Sequence, residues 1–159
     1  MTKTHQMIVR TATLEDLPVL LDFEQKLIEA ERPMDPTLKQ TEKISYYSIE
    51  DYIKSDHTEV VVAEIEGEIA GSGYGQIRDR KDFFIQKQYG YIGFIYVKEE
   101  HRGKGVSQTV INYLYDWLKT KNLEEVRLTV YEKNPRAIKA YEKVGLKKHL
   151  IEMRINLSN

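Results

Sequence analysis

The sequence predicts an α+β, or mixed α/β, domain. Segments with helical periodicity and segments rich in β-branched residues follow one another as β-α-α-β-β-β-α-β-α-β. The chain has 159 residues, the length of about one domain at roughly 150 residues each. Its 41% hydrophobic and 31% charged residues make an ordinary globular composition, so a buried core needs no staples. No internal repeat, low-complexity stretch or long linker divides it, and a single domain over 1–159 is expected.

Met7 to Arg10 is a short apolar strand. Thr13-Leu14-Glu15-Asp16 has the spacing of a capping box, with Asp in the usual Glu or Gln position. Leu17, Leu20, Leu21, Glu24, Leu27 and Ile28 then recur at helical spacing. That helix ends near Arg32, because Pro33 and Pro36 bracket Met34-Asp35. Residues 37–44 read as polar loop, and a second short helix covers Ser45 to Ser55. Thr58 to Ile65 is a β-branched strand, and Glu66-Gly67-Glu68 turns it into a second over Ile69 to Ile77. Arg78 to Lys87 is a charged loop interrupted by Phe83-Phe84-Ile85.

Tyr89 to Val97 is the central strand, aromatic and β-branched throughout and without clean alternation, as in a strand covered on both faces. Gly93 within it marks a bulge or a close approach of another group, while Gly90, near the strand's edge, reads as an adjustment of twist. Val106, Val110, Tyr113, Leu114, Trp117 and Leu118 form the wide apolar stripe of the strongest helix. Val126 to Val130 is a further strand. Asn134-Pro135 supplies an N-cap and a first-turn proline for a helix carrying Ala137, Ile138, Tyr141 and Val144 on one face, and Gly145 closes it. Leu146 to Leu157 is a final extended segment.

Composition excludes several classes of function. With 24 basic against 25 acidic side chains, the net charge of −1 argues against a dedicated nucleic-acid binder. Zero cysteine removes disulfides, thiolate metal sites and any acyl-cysteine intermediate. His5, His57, His101 and His149 lack metal-ligand spacing, so no metal is expected. The first six residues hold no apolar leader, and the longest nearly apolar run, Tyr91 to Val97, is far short of the ~20 residues that span a bilayer. A cytoplasmic protein without membrane contact is expected.

The informative stretch is Tyr91 to Gln108, a buried strand, a charged connector, a glycine turn and an amphipathic helix. Glycines at a helix start let a ligand approach the backbone, and the free N–H groups and dipole of the first turn favour an anion. Arg102 and Lys104 add two charges, an arrangement suited to pyrophosphate. The P-loop pattern fails for want of a glycine five residues before Gly103, and the dinucleotide pattern fails at Gln108.

Arg102-Gly103-Lys104-Gly105-Val106-Ser107 resembles the acetyl-coenzyme A signature [RQ]-x-x-G-x-[GA] of the GCN5-related N-acetyltransferase (GNAT) superfamily, with Ser107 in place of the final Gly or Ala. Arg10 to Asp16 resembles that family's approach to its first helix, and Leu128 to Ala137 with Tyr141 to Leu146 is similar to its second signature. The resemblance covers essentially the whole chain. It implies a mostly antiparallel twisted sheet with a splayed parallel strand pair, flanked by about four helices. It also implies acetyl-coenzyme A as cosubstrate and an amine as acceptor. The pantetheine arm would pair with backbone groups of Ile95, Tyr96 and Val97, and the pyrophosphate would lie on Arg102, Gly103, Lys104, Gly105, Val106 and Ser107.

By the same resemblance, Tyr141 is the general acid for the departing thiolate. Read without it, Tyr141 is one more aromatic on a core-facing stripe. Asn134 is an N-cap on its own evidence and, by resemblance, also touches the cofactor arm. Tyr131 and Tyr96 are candidates to line the acceptor site.

Two departures matter. Glu99 stands where many members have proline, and Tyr89 to Val97 holds no carboxylate where many place a glutamate base. The base is therefore left among Glu31, Asp35, Asp79, Asp82 and a water relay. Phe83 and Phe84 either close the pocket or anchor their loop. The acidic loops hint at a cationic acceptor, and the fold leaves room for a homodimer. Without cysteine the usual thiol relay cannot form, which favours direct attack in a ternary complex. Two other readings stand beside this one: a non-catalytic acyl-coenzyme A sensor, and an interaction protein whose Arg102–Lys104 turn holds another anion.

Overall fold

The computed structural model describes residues 6–158, so His5 lies outside the described residues. Five strands form one sheet in chain order: β1 (Met7–Thr11), β2 (Thr58–Ile65), β3 (Glu68–Asp79), β4 (Gln88–Val97) and β5 (Val126–Arg127). β1 to β4 are antiparallel neighbours, and β4 and β5 run parallel. Helices α1 (Leu17–Glu31) and α2 (Ile49–Lys54) pack on one face, α3 (Val106–Thr120) and α4 (Pro135–Lys143) on the other. This is the expected mixed fold, mostly antiparallel, with one parallel pair and four helices. No helix among the described residues is long and apolar enough to cross a membrane.

Alternation along β2 feeds both cores. Val61, Ala63 and Ile65 meet Val110, Ile111, Leu114 and Leu118 of α3, while Val60 and Val62 meet Leu20 and Phe23 of α1. Asp16 fixes where α1 begins. Its carboxylate accepts from the Thr13 N–H at 2.8 Å, the reach-back half of the expected box, and from both terminal nitrogens of Arg10 at 2.8 and 2.9 Å. The chain first makes a 3-10 turn over Leu14–Asp16, so the α-helix starts later than the periodicity suggests. It stops at Glu31, and Pro33 sits in a second 3-10 turn.

Halfway along α1, Glu24 is 1% exposed. Its carboxylate accepts from the Tyr46 N–H at 2.9 Å, the Tyr47 N–H at 2.8 Å and the Ser45 hydroxyl at 3.2 Å. A buried charge is tolerable only with donors of this kind. Here they clasp the loop before α2 onto the inner face of α1.

β4 changes phase partway. Between the Ser72–Tyr96 and Tyr74–Gly93 pairs, one residue of β3, Gly73, faces two of β4, Phe94 and Ile95, so β4 carries one surplus residue. Phe94 takes the left-handed conformation at φ 58, a position a bulky residue holds only under surrounding constraint. Ile92 faces α3 before the bulge, and Ile95 and Val97 face it afterwards; Tyr91, Phe94 and Tyr96 face α1. The two glycines serve packing. A Cβ on Gly93 would stand 2.5 Å from the Tyr74 ring, and one on Gly90 2.8 Å from Leu118. Close approach, rather than adjustment of twist, therefore explains Gly90.

Two expectations fail at the far edge. The strand expected over Val126 to Val130 is confined to Val126–Arg127, because β4 pairs with β5 only at Gly90 and Tyr91 and then leaves it. Leu146 to Leu157 joins no strand, and residues 147–158 are all exposed.

Candidate active site

The departure of β4 from β5 opens a gap whose edges are backbone. The Lys98 N–H donates to the Ala70 carbonyl across the β3–β4 ladder at 2.8 Å. Alternation then turns the backbone of Tyr96 towards β3 and that of Ile95 and Val97 towards the gap. Of the three residues expected to offer backbone groups to a cofactor, Ile95 and Val97 turn theirs away from β3, whereas Tyr96 spends its own on the β3 ladder. The Tyr96 ring is buried against Phe23, with ring centres 4.8 Å apart. The Val97 carbonyl accepts from Arg102 Nε at 3.3 Å, which folds the arginine back over the mouth of the gap.

Beyond Val97 a 3-10 turn over Glu99–His101 leads into the glycine turn. Gly103 and Gly105 both sit at φ 79, and a Cβ on either would meet nothing within 4 Å. Glycine is required here by backbone sign, and the space in front of the turn is open. Gly105 is the N-cap of α3 and has no side chain to offer its first turn, which leaves helix N–H groups facing that space. Val106 anchors the turn with a side chain 2% exposed, while Ser107 is half-buried and Lys104 lies 3.2 Å from His101 Nδ1. Nearby, ligand atoms of Glu68, Glu100 and His101 come within 4.8 Å of one another, the cluster best able to hold a cation. The Lys98 ammonium already pairs with both of its carboxylates.

Across the gap, Asn134 caps α4, its Oδ1 accepting from the Ala137 N–H at 3.2 Å. One turn on, Tyr141 is half-buried against the α3 core, and its hydroxyl makes no hydrogen bond with any described residue. Burial, and then the charge of Glu31, push that phenol up to about 12. Glu31 lies at the end of α1, which packs on the other face of the sheet.

Glu31 is the centre of the electrostatics. Burial pushes its carboxyl above the ordinary glutamate range, and its charge acts on Tyr46, Tyr47, Tyr131 and Tyr141. The Tyr46 hydroxyl is buried beside Glu31 without a well-formed hydrogen bond to any described residue, and burial followed by the Glu31 charge pushes its pKa up as well. Asp35 differs: it accepts from the Thr37 hydroxyl at 2.6 Å and amide at 3.0 Å, from Arg154 at 3.0 Å and from the Tyr131 hydroxyl at 3.0 Å. Those donors, Thr37 foremost, hold its carboxyl well below the usual range. Asp35 is thus a structural anchor whose lone pairs are spoken for, and Tyr131 is its partner.

The other two acids lie elsewhere. Asp79 accepts from Gln88 in the β3–β4 hairpin. The loop bearing Asp82 packs at the paired end of β4 and β5, where Gln86 bonds Glu124 and Arg80 reaches Glu125. Phe84 stacks under Arg80 at 4.0 Å, and Phe83 is 76% exposed, so the pair anchors the loop instead of closing the gap. The Tyr91 hydroxyl meets Thr129 at 2.9 Å, tying β4 to the chain beyond β5 where the two strands still pair. Glu24 also places the Tyr46 and Tyr47 rings, which lie 5.7 Å apart, with Tyr47 packed on Tyr74 and Phe94.

A profile of the acetyltransferase (GNAT) family matches residues 24–146. An uncharacterized N-acetyltransferase of Bacillus subtilis (strain 168), YobR, is 42% identical over 57 residues; the match covers 36% of this chain and 23% of that protein's length. Among solved structures, a mutant form of the BH1408 protein from Bacillus halodurans superposes with a TM-score of 0.85 at 19% identity, covering 94% of this chain and 99% of that one. A predicted acetyltransferase from Clostridium acetobutylicum, with acetyl-CoA, gives 0.73 at 18% identity over 96% of this chain and 97% of its own. At such identities the likeness is one of fold.

Proposed function

The chain belongs to the acetyltransferase (GNAT) family, and from that premise we propose that it transfers an acetyl group from acetyl-CoA to a primary amine by direct attack in a ternary complex. One observation carries the reading. β4 stops pairing with β5 beyond Gly90 and Tyr91, and the strand that leaves β5 leads into the open Gly103–Gly105 turn at the start of α3. The predicted acetyltransferase whose structure holds acetyl-CoA shares this fold, which supports acetyl-CoA as the donor here.

In this reading the gap-facing N–H and C=O groups of Ile95 and Val97 pair with the pantetheine amides as an added strand would. The turn from Arg102 to Ser107 takes the pyrophosphate, with Lys104 and the first-turn N–H groups of α3 as donors. Asn134, its Oδ1 engaged as cap, keeps its amide N–H groups for the cofactor arm.

The acceptor enters from the α1 side, beneath Tyr46 and Tyr47. An alkylammonium has a pKa near ~10 and must lose a proton before its nitrogen can attack. Glu31, directly or through one water, takes that proton. The nitrogen bonds to the thioester carbon and the C–S bond breaks while the Tyr141 hydroxyl hydrogen-bonds to the sulfur on which charge collects. The second proton of the attacking nitrogen passes through solvent to that sulfur, so the products are an amide, the free thiol and the proton held by Glu31. The Glu31 carboxylate and the tyrosines that feel its charge favour a cationic acceptor.

Thermal unfolding with and without acetyl-CoA tests the first half. Ligand at a hundredfold over its Kd should add about 2.7 kcal/mol of stability. Gly105→Val should abolish that shift, since valine is strained at φ 79 and its side chain would enter the open turn. An unchanged shift in this variant contradicts the placement, and no shift in the parent chain rejects acetyl-CoA altogether. Thiol release over polyamines, amino acids, aminoglycosides and peptide N-termini tests the second half. Binding without release from any of them would favour the sensor.

A further inference from the structure

We propose, on the reading of the glycine turn as a pyrophosphate site, that His101 is the positioning residue of Lys104. As a neutral imidazole it holds the lysine ammonium at the turn, so that the charge offered to the anion is fixed before the ligand arrives. Lys104 has little else to hold it. It is exposed and stands between Gly103 and Gly105, which have no side chains to pack against its stem. Its ammonium makes one polar contact with the described chain, at 3.2 Å to His101 Nδ1. An ammonium can only donate, so Nδ1 is the accepting nitrogen and the ring proton sits on Nε2.

The ring is itself held. His101 is 8% exposed, and its backbone N–H donates to the Lys98 carbonyl at 2.9 Å, closing the 3-10 turn that precedes the glycines. On its far side Nε2 faces Glu68 Oε2 at 3.5 Å, beyond a well-formed hydrogen bond but close to the charge. Lys98 foremost, and then His101, hold the Glu68 carboxyl below its ordinary range, so it is ionised. A carboxylate on that side keeps the proton on Nε2 and leaves the lone pair of Nδ1 to Lys104. Lys98 and Lys104 thus offset Glu68 and Glu100 around a neutral ring.

A lysine loose in solvent gives up several rotatable bonds when it takes an anion, whereas one already tethered has less to lose. The tether leaves two of the three ammonium protons for phosphate oxygens. Arg102, the other cation of the turn, is tied instead to the edge of the gap through the Val97 carbonyl. His101 therefore acts on binding and not on the chemical step.

Two substitutions of opposite kind separate positioning from packing. His101→Phe fills the space and accepts no hydrogen bond, while His101→Asn keeps an acceptor and leaves a void. The calorimetric Kd for acetyl-CoA should rise about three- to tenfold in His101→Phe and stay within about twofold in His101→Asn, with kcat unchanged in both. In a Lys104→Met background, His101→Phe should cost less than about twofold more. Long-range proton–nitrogen spectra of the ligand-free chain should place the ring proton on Nε2, with an Nδ1 signal that moves in Lys104→Met. A His101→Phe chain that binds like the parent, a larger loss in His101→Asn, losses that multiply in the double variant, or a ring proton on Nδ1 would each overturn the proposal. A parent chain that binds neither acetyl-CoA nor inorganic pyrophosphate rejects the reading of the turn, and the proposal falls with it.

Discussion

Tyr141→Phe is expected to lower kcat by about 10²–10³-fold while leaving acetyl-CoA affinity within a few-fold of the parent. The hydroxyl is the only atom removed, and it bonds to no described residue, so the fold does not depend on it. Its pKa of about 12 decides how it acts. At neutral pH the phenol is always protonated, hence always a donor. An ordinary thiol lies near ~8.5, well below the raised phenol, so complete transfer to a free thiolate is uphill. In the proposed reaction Tyr141 therefore acts chiefly while the C–S bond is breaking, as a hydrogen bond to the sulfur on which charge accumulates. Thiol release at saturating acetyl-CoA reads the effect, and single-turnover rates show whether chemistry limits it. An unchanged single-turnover rate would remove Tyr141 from the reaction.

Glu31→Gln is the second large effect, about 10²-fold in kcat/KM for the acceptor near pH 7. Only the ionised carboxylate can take a proton, so activity is lost as pH falls through the Glu31 pKa. Because burial raises that pKa, the acid limb in the parent lies above the usual glutamate value. The glutamine variant loses this limb. Its deficit also narrows as pH climbs towards the acceptor's own pKa near ~10, where the amine arrives already deprotonated. A deficit constant from pH 6 to pH 10 would mean that Glu31 binds the acceptor without acting as base. The paired measurement separates the two roles, since loss of binding raises KM at every pH.

Much of the fold was legible because local signals and tertiary packing agreed. Pro33 does stop α1, the β-branched run does occupy Thr58–Ile65, and Asn134-Pro135 does start α4. The edges failed where a strand needs a neighbour. Val126 to Val130 has the right residues, but pairing requires β4 to stay alongside, and the bulge takes it away. Leu146 to Leu157 alternates correctly yet finds no ladder within the described chain.

The site was legible where it is a local motif, from Arg102 to Ser107, and dark where it is an assembly of distant parts. Nothing near Glu31 in sequence shows that Tyr141 will feel its charge. Nothing near Asp35 shows that Arg154 and Tyr131 will consume it. Glu24 entered the helical stripe as a polar residue at a core position, and its role as clasp for Tyr46 and Tyr47 depends on a loop that its own sequence neighbourhood does not contain.

The surplus residue in β4 has a consequence for how the gap could be lost. Upstream, the Gly90 N–H points to β5, bonding the Glu125 carbonyl at 2.8 Å. With one residue inserted, the same orientation returns at Ile95 and Val97 and not at their regular counterparts Phe94 and Tyr96. A strand shortened by Phe94 would keep Ile95 and Val97 turned the same way while erasing the local twist. β4 and β5 would then be free to zip together past Tyr91, and the opening would vanish without loss of any group that lines it. The cleft is thus a matter of counting: a ladder kept open by one rung too many, to which point substitutions along its rails are far less dangerous than a single deletion.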